Sequence, residues 1–154
     1  MILAKDYPSE TDQHRKLRGA IWSKLNGWRR FVIAIDGVDG AGKSTLARYL
    51  AWHLGMPVIE SDLLLVRDTG RLEHHLDGLR DLVDARLSID RPMLVEGVRV
   101  LRTLKLLGLD ADFLVWVEQR EHEGSRRLQA ELTEYATEFK PAERADFVFR
   151  REPE

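Results

Sequence analysis

Hydrophobic residues along this chain follow two alternating patterns, which together predict alternating strands and helices. Five short runs are continuously apolar and rich in β-branched or aromatic residues, a pattern typical of strands that are buried on both faces of a parallel sheet. In most of the intervals between them, and once before the first, apolar residues recur at helical spacing and predict helices with one buried face. The predicted strands are 31–35, 57–59, 93–95, 113–117 and 147–149.

The predicted helices begin and end at residues that suit helix termini. The first starts at Ser9-Glu10-Thr11-Asp12, directly after Pro8, and carries one apolar face up to Gly27. Glycines also follow the second and fourth helices, where a residue that tolerates a left-handed backbone is favoured. The remaining predicted helices are 43–54, 72–87, 98–107 and the highly charged 120–136.

Strands that alternate with helices predict βαβ units with right-handed connections and a parallel, doubly wound sheet. Ligands of such sheets bind beyond the carboxyl ends of the strands. The candidate functional residues are therefore those that directly follow each strand. They lie in the segments 36–45, 60–62, 96–97 and 118–120, and at Arg150.

One of these segments carries a specific motif. Residues 37–44 match G-x-x-x-x-G-K-[ST], and they lie between a predicted strand and a predicted helix, as the motif requires. Glycines let the backbone N–H groups point inward, and the following helix adds its positive N-terminal end, so the loop can hold an anion. Lys43 is expected to reach the β- and γ-phosphates of a nucleotide, and the Ser44 hydroxyl to bind Mg²⁺. The predicted nucleotide-binding residues are Gly37, Val38, Asp39, Gly40, Ala41, Gly42, Lys43, Ser44 and Thr45.

The segment 35–47 resembles the P-loop of small-molecule kinases. Further short segments resemble uridine kinase and its relatives, in the same order along the chain: 59–62, 94–98, 125–128 and 145–149. The resemblance implies a three-layer, doubly wound α/β fold of the P-loop NTPase type, with a five-stranded parallel sheet and an extra N-terminal helix. We expect one domain over residues 1–154, with a helical extension at 1–29 and a lid region at 119–140.

The resemblance also implies roles for residues outside the loop. Asp62 would be the general base for an acceptor hydroxyl or a carboxylate that positions the metal. Glu96 would hold Mg²⁺ or contact the acceptor. Arg126 and Arg127 would stabilise charge on the moving phosphoryl group. Simpler roles stay open: a helix N-cap for Asp62, a solvated turn for Glu96, and exposed helix positions for the two arginines.

These residues predict an ATP-dependent phosphotransferase that moves a γ-phosphoryl group to a hydroxyl of a small molecule, with ATP and Mg²⁺ as cofactors. The region 63–91 is shorter than the nucleoside-binding region of uridine kinases, and the arginine-rich lid is abbreviated. An ATP-binding regulatory or sensing module with little or no transfer activity is therefore the alternative. A kinase that acts on a nucleic-acid end or on a protein is a third hypothesis. The chain has no Asn-Lys-x-Asp sequence, which argues against a Ras-like GTPase.

Composition narrows the expected partners. The 154 residues carry a formal net charge of −2, so no basic field argues for nucleic acid or an anionic membrane. There are no cysteines, which excludes disulfides and thiolate metal sites and fits a reducing cytoplasm. No signal peptide is visible, and no apolar run reaches the ~20 residues of a membrane span. We therefore expect a cytoplasmic protein that binds a small phosphoryl acceptor. Trp22 and Trp28 mark a surface at which a homodimer is one option.

Overall fold

The fold is an open parallel sheet with helices on both faces. The computed structural model describes residues 9–119 and 126–151. The strands are β1 (Phe31–Gly37), β2 (Val58–Glu60), β3 (Pro92–Glu96), β4 (Phe113–Gln119) and β5 (Phe147–Arg151). The helices are α1 (Asp12–Leu25), α2 (Lys43–Leu54), α3 (Leu76–Leu87), α4 (Val100–Leu106), α5 (Gln129–Phe139) and α6 (Pro141–Arg144). Two 3₁₀ turns, Ser61–Leu64 and Arg126–Leu128, follow β2 and precede α5.

The strand order is β2-β3-β1-β4-β5, and every neighbouring pair is parallel. The central strand β1 and its neighbour β3 are buried along their whole length, because helices cover both faces of the sheet. The predicted three-layer, doubly wound α/β fold with a five-stranded parallel sheet is confirmed. Since all strands run the same way, their carboxyl ends meet at one edge of the sheet.

Two hydrophobic clusters hold the layers together, one on each face of the sheet. The first joins α1 and α2 to the strands, and the second joins α3, α4 and α5 to them. Side chains alternate between these faces along each strand, so Ile33 and Ile35 enter the first cluster while Val32 and Ala34 enter the second. The same alternation decides which helix layer each polar residue at a strand end can reach.

Helix α1 is part of this core. Thr11 caps its start in a capping box with His14, and Asn26 ends it in a left-handed conformation. Its inward residues Leu17, Ile21 and Leu25 are fully buried in the first cluster. Burial of three such side chains contributes roughly 1.5–3 kcal/mol each. The extra helix before β1, predicted from the sequence, therefore packs on the sheet beside α2.

The segment between β2 and α3 differs from its prediction. Helix α3 begins at Leu76 and not at residue 72, because the preceding residues turn back through an antiparallel bridge between Leu65 and His74. His74 is consequently half-buried, and His75 is exposed. The hydrogen bond from the His75 N–H to the Leu64 carbonyl, 2.7 Å long, closes the same loop.

The charged segment after β4 also starts its helix later than predicted. The helix expected over 120–136 is observed as α5, Gln129–Phe139, which follows the 3₁₀ turn. Residues 120–125 of that prediction lie outside the described part of the chain. Within the described ranges, none of the helices has the length and apolar character that a membrane crossing requires.

Candidate functional site

The predicted phosphate loop leaves the carboxyl end of β1 and enters α2 at Lys43. Gly37 lies so close to β4 that a Cβ atom there would be 2.2 Å from the Val117 carbonyl oxygen. Gly42, directly before the helix, has a φ of +91°, a conformation that glycine adopts without steric cost. The glycines are thus required by the path of the loop, and the loop leads into the positive N-terminal end of α2.

Lys43 is held inside the loop. Its side chain is buried, and its Nζ donates a hydrogen bond of 3.0 Å to the Val38 carbonyl. Burial raises the pKa of both Asp36 and Glu96, and the charge of Lys43 partly opposes this rise. Two carboxyl groups and one ammonium therefore share a single electrostatic environment around the start of α2.

Ser44 and Glu96 are two of the three residues predicted to bind a metal, the third being Asp62. Ser44 Oγ donates a hydrogen bond of 2.9 Å to Glu96 Oε1. Glu96 lies at the end of β3 and is 1% exposed, and its Oε2 has no hydrogen-bond partner within the described residues. Burial raises the pKa of Glu96, the hydrogen bond from Ser44 opposes this, and the charge of Asp62 adds to it. Glu96 is thus not a solvated turn residue.

This oxygen pair fits Mg²⁺. A hydroxyl and a carboxylate are hard oxygen donors, and a buried carboxylate oxygen without a partner gains most from a cation. No group of three His, Cys, Asp or Glu residues within 9–119 and 126–151 is arranged to hold a metal by itself. Magnesium sites commonly use one or two protein oxygens and complete the shell with phosphate oxygens and water. Ser44 and Glu96 would therefore be the protein's share of such a site.

Asp62 stands at the same edge, in the 3₁₀ turn after β2. Its Oδ1 accepts a hydrogen bond of 3.3 Å from the Val98 N–H, and the residue is exposed. The N-cap of the turn is Glu60, which makes no side-chain capping bond, so Asp62 does not serve as a cap. Burial raises the pKa of both Asp36 and Glu96, and the negative charge of Asp62 adds to the rise.

The turn at Gly97 joins Asp62 to β3. A Cβ atom at Gly97 would lie 2.0 Å from Ser61 Oγ and 3.0 Å from Asp62 Oδ1. Ser61 Oγ cannot yield easily, because the residue is fully buried and this oxygen donates a 2.8 Å hydrogen bond to the Glu96 carbonyl. Glycine at this position therefore allows the β2 and β3 turns to approach each other and fixes Asp62 beside Glu96.

We expect Gly97→Ala to destabilise the fold by about 2–4 kcal/mol, because the added methyl group both clashes and strains a positive-φ residue. Urea unfolding followed by circular dichroism measures this loss. Gly19→Ala is the matched control, since Gly19 is inside α1 with no atom within 4 Å of a built Cβ. That change should be neutral or stabilise by up to about 1 kcal/mol. Equal stability of the two variants would contradict the steric role.

Asp36, the last side chain of β1, ties the loop to α5. Its Oδ1 accepts a hydrogen bond of 2.8 Å from the Gly37 N–H, and its Oδ2 accepts one from the Tyr135 hydroxyl. Tyr135 also accepts a bond from the Leu101 N–H. Burial raises the pKa of Asp36 to about 6, and the hydrogen bonds from Tyr135 and Gly37 and the charge of Lys43 oppose the rise. The buried Asp36 side chain thus connects the start of the loop to α5 by hydrogen bonds and does not face solvent.

We expect the stability of the protein to fall as the pH rises through the pKa of Asp36. A carboxyl group whose pKa rises from 3.8 to about 6 on folding stabilises the folded state fully below pH 3.8 and loses that contribution as the pH passes 6. The loss is about 3 kcal/mol. Asp36→Asn does not titrate. Its Oδ1 can still accept the hydrogen bond from the Gly37 N–H, whereas its Nδ2 would have to donate to the Tyr135 oxygen instead of accepting from it. Urea unfolding between about pH 4 and pH 7.5 should therefore show the variant gaining stability relative to the parent. Parallel pH profiles would contradict this origin.

Among the described residues, the two predicted lid arginines make no contact with the phosphate loop. Arg126 and Arg127 are exposed in the 3₁₀ turn before α5. Neither side chain makes a hydrogen bond or an ion pair within the part of the chain that the structure describes. Their role at the transferred phosphoryl group stays a prediction.

Three residues at this edge were not found by sequence reasoning. Tyr135 holds Asp36, as described above. Arg99 is buried with a left-handed backbone, and its Nη2 donates to the Leu72 carbonyl. Arg151, the last residue of β5, lies against Gly42. Of these three residues, only Arg151 could have been found from the sequence. Two consecutive arginines at a strand end point to opposite faces of the sheet, so one of them is expected on the side of the phosphate loop.

Comparison with known proteins agrees with the fold and with part of the sequence. A solved structure described as a possible uridine kinase from Bacillus stearothermophilus matches with a TM-score of 0.66 and 21% identity, over 90% of this chain and 97% of that one. A sugar kinase from Janibacter sp. HTCC2649 matches with a TM-score of 0.53 and 15% identity, over 79% and 84%. At these identities the likeness establishes that this chain shares its fold with these two kinases.

Curated proteins match over shorter stretches. Cytidylate kinase from Methylocella silvestris is 47% identical over 58 residues, which are 38% of this chain and 26% of that enzyme. Cytidylate kinase from Brucella suis is 36% identical over 80 residues, or 52% and 31%. The match thus spans between a quarter and a third of the length of these relatives. No family model matches the chain. The chain therefore resembles P-loop kinases in fold and in part of its sequence.

Proposed function

We propose that this protein is an ATP-dependent phosphotransferase that moves the γ-phosphoryl group of ATP to a hydroxyl group of a small molecule. The observation that carries the proposal is the meeting of three elements at one edge of the sheet. They are the loop with Lys43, the Ser44–Glu96 pair, and the exposed carboxylate of Asp62. A pure phosphate-binding loop needs the first two, whereas transfer to a hydroxyl also needs a proton acceptor.

The loop and Lys43 would bind the polyphosphate. Backbone N–H groups of the loop and the N-terminal end of α2 would bind the phosphates. The Lys43 ammonium would leave the Val38 carbonyl for the β- and γ-phosphate oxygens. When bound at Ser44 and Glu96, Mg²⁺ would neutralise charge on these oxygens. Glu96 would then be ionised, because a neighbouring cation favours the charged form of a carboxylate.

Asp62 would accept the proton of the acceptor hydroxyl. The Val98 N–H fixes one carboxylate oxygen, which leaves the other for the acceptor. Because Asp62 is exposed, an acceptor can approach it from solvent. A positioned general base contributes typically 10²–10⁴-fold to such a reaction, on the order of 3–5 kcal/mol.

Similarity supports a small acceptor. The neighbours are described as acting on uridine and on a sugar, both of which carry hydroxyl groups, and the partial relatives as acting on cytidylate. The antiparallel bridge between Leu65 and His74 folds the chain after Asp62 back on itself. An acceptor bound beside Asp62 would therefore meet this short loop, which supports a compact substrate.

The direct test is phosphoryl transfer from γ-labelled ATP, with Mg²⁺, to a fractionated pool of metabolites read by mass spectrometry. A labelled product that forms with the parent protein and disappears with Lys43→Ala establishes the kinase and identifies its acceptor. If no product forms while Mg²⁺–ATP binds, and binding is lost with Lys43→Ala, the protein is the nucleotide-sensing module. In that case the transfer proposal is wrong.

A further inference from the structure

The carboxyl end of β5 carries two consecutive arginines that point to opposite faces of the sheet. Phe149, two residues earlier than Arg151, lies in the hydrophobic cluster beneath α1 and α2, so Arg151 points to that same face. Arg150 points away from it, and its Nε donates a hydrogen bond of 2.7 Å to Glu118 Oε1 on the neighbouring strand. Of the two arginines, only Arg151 faces the layer that contains the phosphate loop.

The Arg151 guanidinium fills the space above Gly42. A Cβ atom built on Gly42 would lie 2.4 Å from Arg151 Nη1, 3.3 Å from its Cδ and 3.4 Å from its Cζ. Gly42 is the residue before Lys43 and the N-terminus of α2. The glycine therefore does more than curl the loop, because it also leaves room for a second cationic side chain at the mouth of the anion site.

The strand order indicates which phosphate of a bound nucleotide would lie near Arg151. Glu96 ends β3 and Asp62 follows β2, and both strands lie on one side of β1. Arg151 ends β5, which is two strands away on the other side. The γ-phosphate belongs on the side of Ser44 and Glu96, where transfer would occur. The opposite side of the loop then holds the α-phosphate and the nucleoside.

We propose that Arg151 binds the α-phosphate of the donor nucleotide. The assignment rests on the proposed function, since it takes the loop as the nucleotide site. Arginine suits the task because its planar fork can donate two parallel hydrogen bonds to one phosphate. A contact to the α-phosphate is present in ATP and ADP alike and does not change during transfer. It therefore strengthens nucleotide binding without accelerating the chemical step.

The test is the dissociation constant of Mg²⁺–ATP, Mg²⁺–ADP and Mg²⁺–GTP by isothermal titration calorimetry. Arg151→Ala should raise the dissociation constants of ATP and ADP by the same factor, about 10-fold or more. If GTP binds, its dissociation constant should rise by that factor as well. Arg151→Lys keeps the charge but not the fork, so a smaller loss is expected. In a transfer assay the KM for ATP should rise while kcat stays unchanged.

Arg150→Ala is the matched control, because its side chain is 74% exposed and is bound to Glu118 on the other face. It should leave all three dissociation constants unchanged. If Arg151→Ala weakens the binding of ATP but not of ADP, the arginine contacts the γ-phosphate and the α-phosphate assignment is wrong. If the loss of affinity differs between ATP and GTP, the arginine contacts the base and the assignment is also wrong. Unchanged binding in Arg151→Ala overturns it outright. Failure of the parent protein to bind any nucleotide instead removes the proposed function, and this assignment with it.

Discussion

Lys43→Ala is expected to weaken the binding of Mg²⁺–ATP by at least about 100-fold. The ammonium is already held inside the loop, where its Nζ lies 3.0 Å from the Val38 carbonyl oxygen. Charge-assisted hydrogen bonds contribute roughly 1.5–3 kcal/mol each, and the lysine of such a loop contacts two phosphate groups, so their sum exceeds two factors of ten. Isothermal titration calorimetry measures the loss.

The same substitution changes the electrostatics of the site without a ligand. The charge of Lys43 lowers the pKa of Asp36 and of Glu96, so its removal should raise both further. Lys105→Ala is a suitable control, because Lys105 is 72% exposed on α4 and interacts with Glu138, in a 3.8 Å ion pair, and with the Phe139 ring, both on α5. An ATP affinity that stays unchanged in Lys43→Ala would refute the assignment of residues 37–45 as a nucleotide site.

Sequence patterns predicted the sheet because its strands carry local signals. The predicted strands at β1 and β3 are continuous apolar runs, which are typical of strands that are buried on both faces of a sheet. The motif at 37–44 specifies its own backbone, since the glycines are required by the close approach of β4 and by the positive φ of Gly42. Both kinds of information lie within a few consecutive residues.

The parts that sequence reasoning missed depend on contacts between distant segments. The start of α3 was predicted four residues early, because Leu72 continues the helical periodicity while its carbonyl is in fact held by Arg99, 27 residues later. The bond between Asp36 and Tyr135 joins residues 99 positions apart. Tertiary hydrogen bonds of this kind override local propensity, and a single sequence does not display them.

The site divides in the same way. Ser44 and Glu96 were both singled out as metal-binding residues, and the structure places them 2.9 Å apart although they are 52 residues apart in the chain. The rule that strand ends converge at one edge was sufficient for this. It was not sufficient for the direction of a side chain beyond the strand end, so Arg150 was singled out and Arg151, which faces the loop, was not.

Asp62→Asn is expected to lower phosphoryl transfer by at least about 100-fold while ATP affinity changes little. Asparagine can still accept the 3.3 Å hydrogen bond from the Val98 N–H, so the turn and the side-chain position should be kept. It cannot accept a proton from the acceptor hydroxyl. Loss of the negative charge also removes a repulsion that raises the pKa of Asp36 and Glu96, so nucleotide binding should not weaken.

The measurement compares kcat for transfer with the dissociation constant of Mg²⁺–ATP in the same preparation. Asp77→Asn is the matched control, because Asp77 is an exposed carboxylate in the first turn of α3. A large fall in kcat with unchanged ATP affinity in Asp62→Asn alone identifies Asp62 as the general base. If both quantities fall together, Asp62 positions the metal or supports the fold instead, and the proton must pass to another acceptor. Because Asp62 is the exposed carboxylate beside the Ser44–Glu96 pair, that result would also weaken the case for transfer relative to sensing.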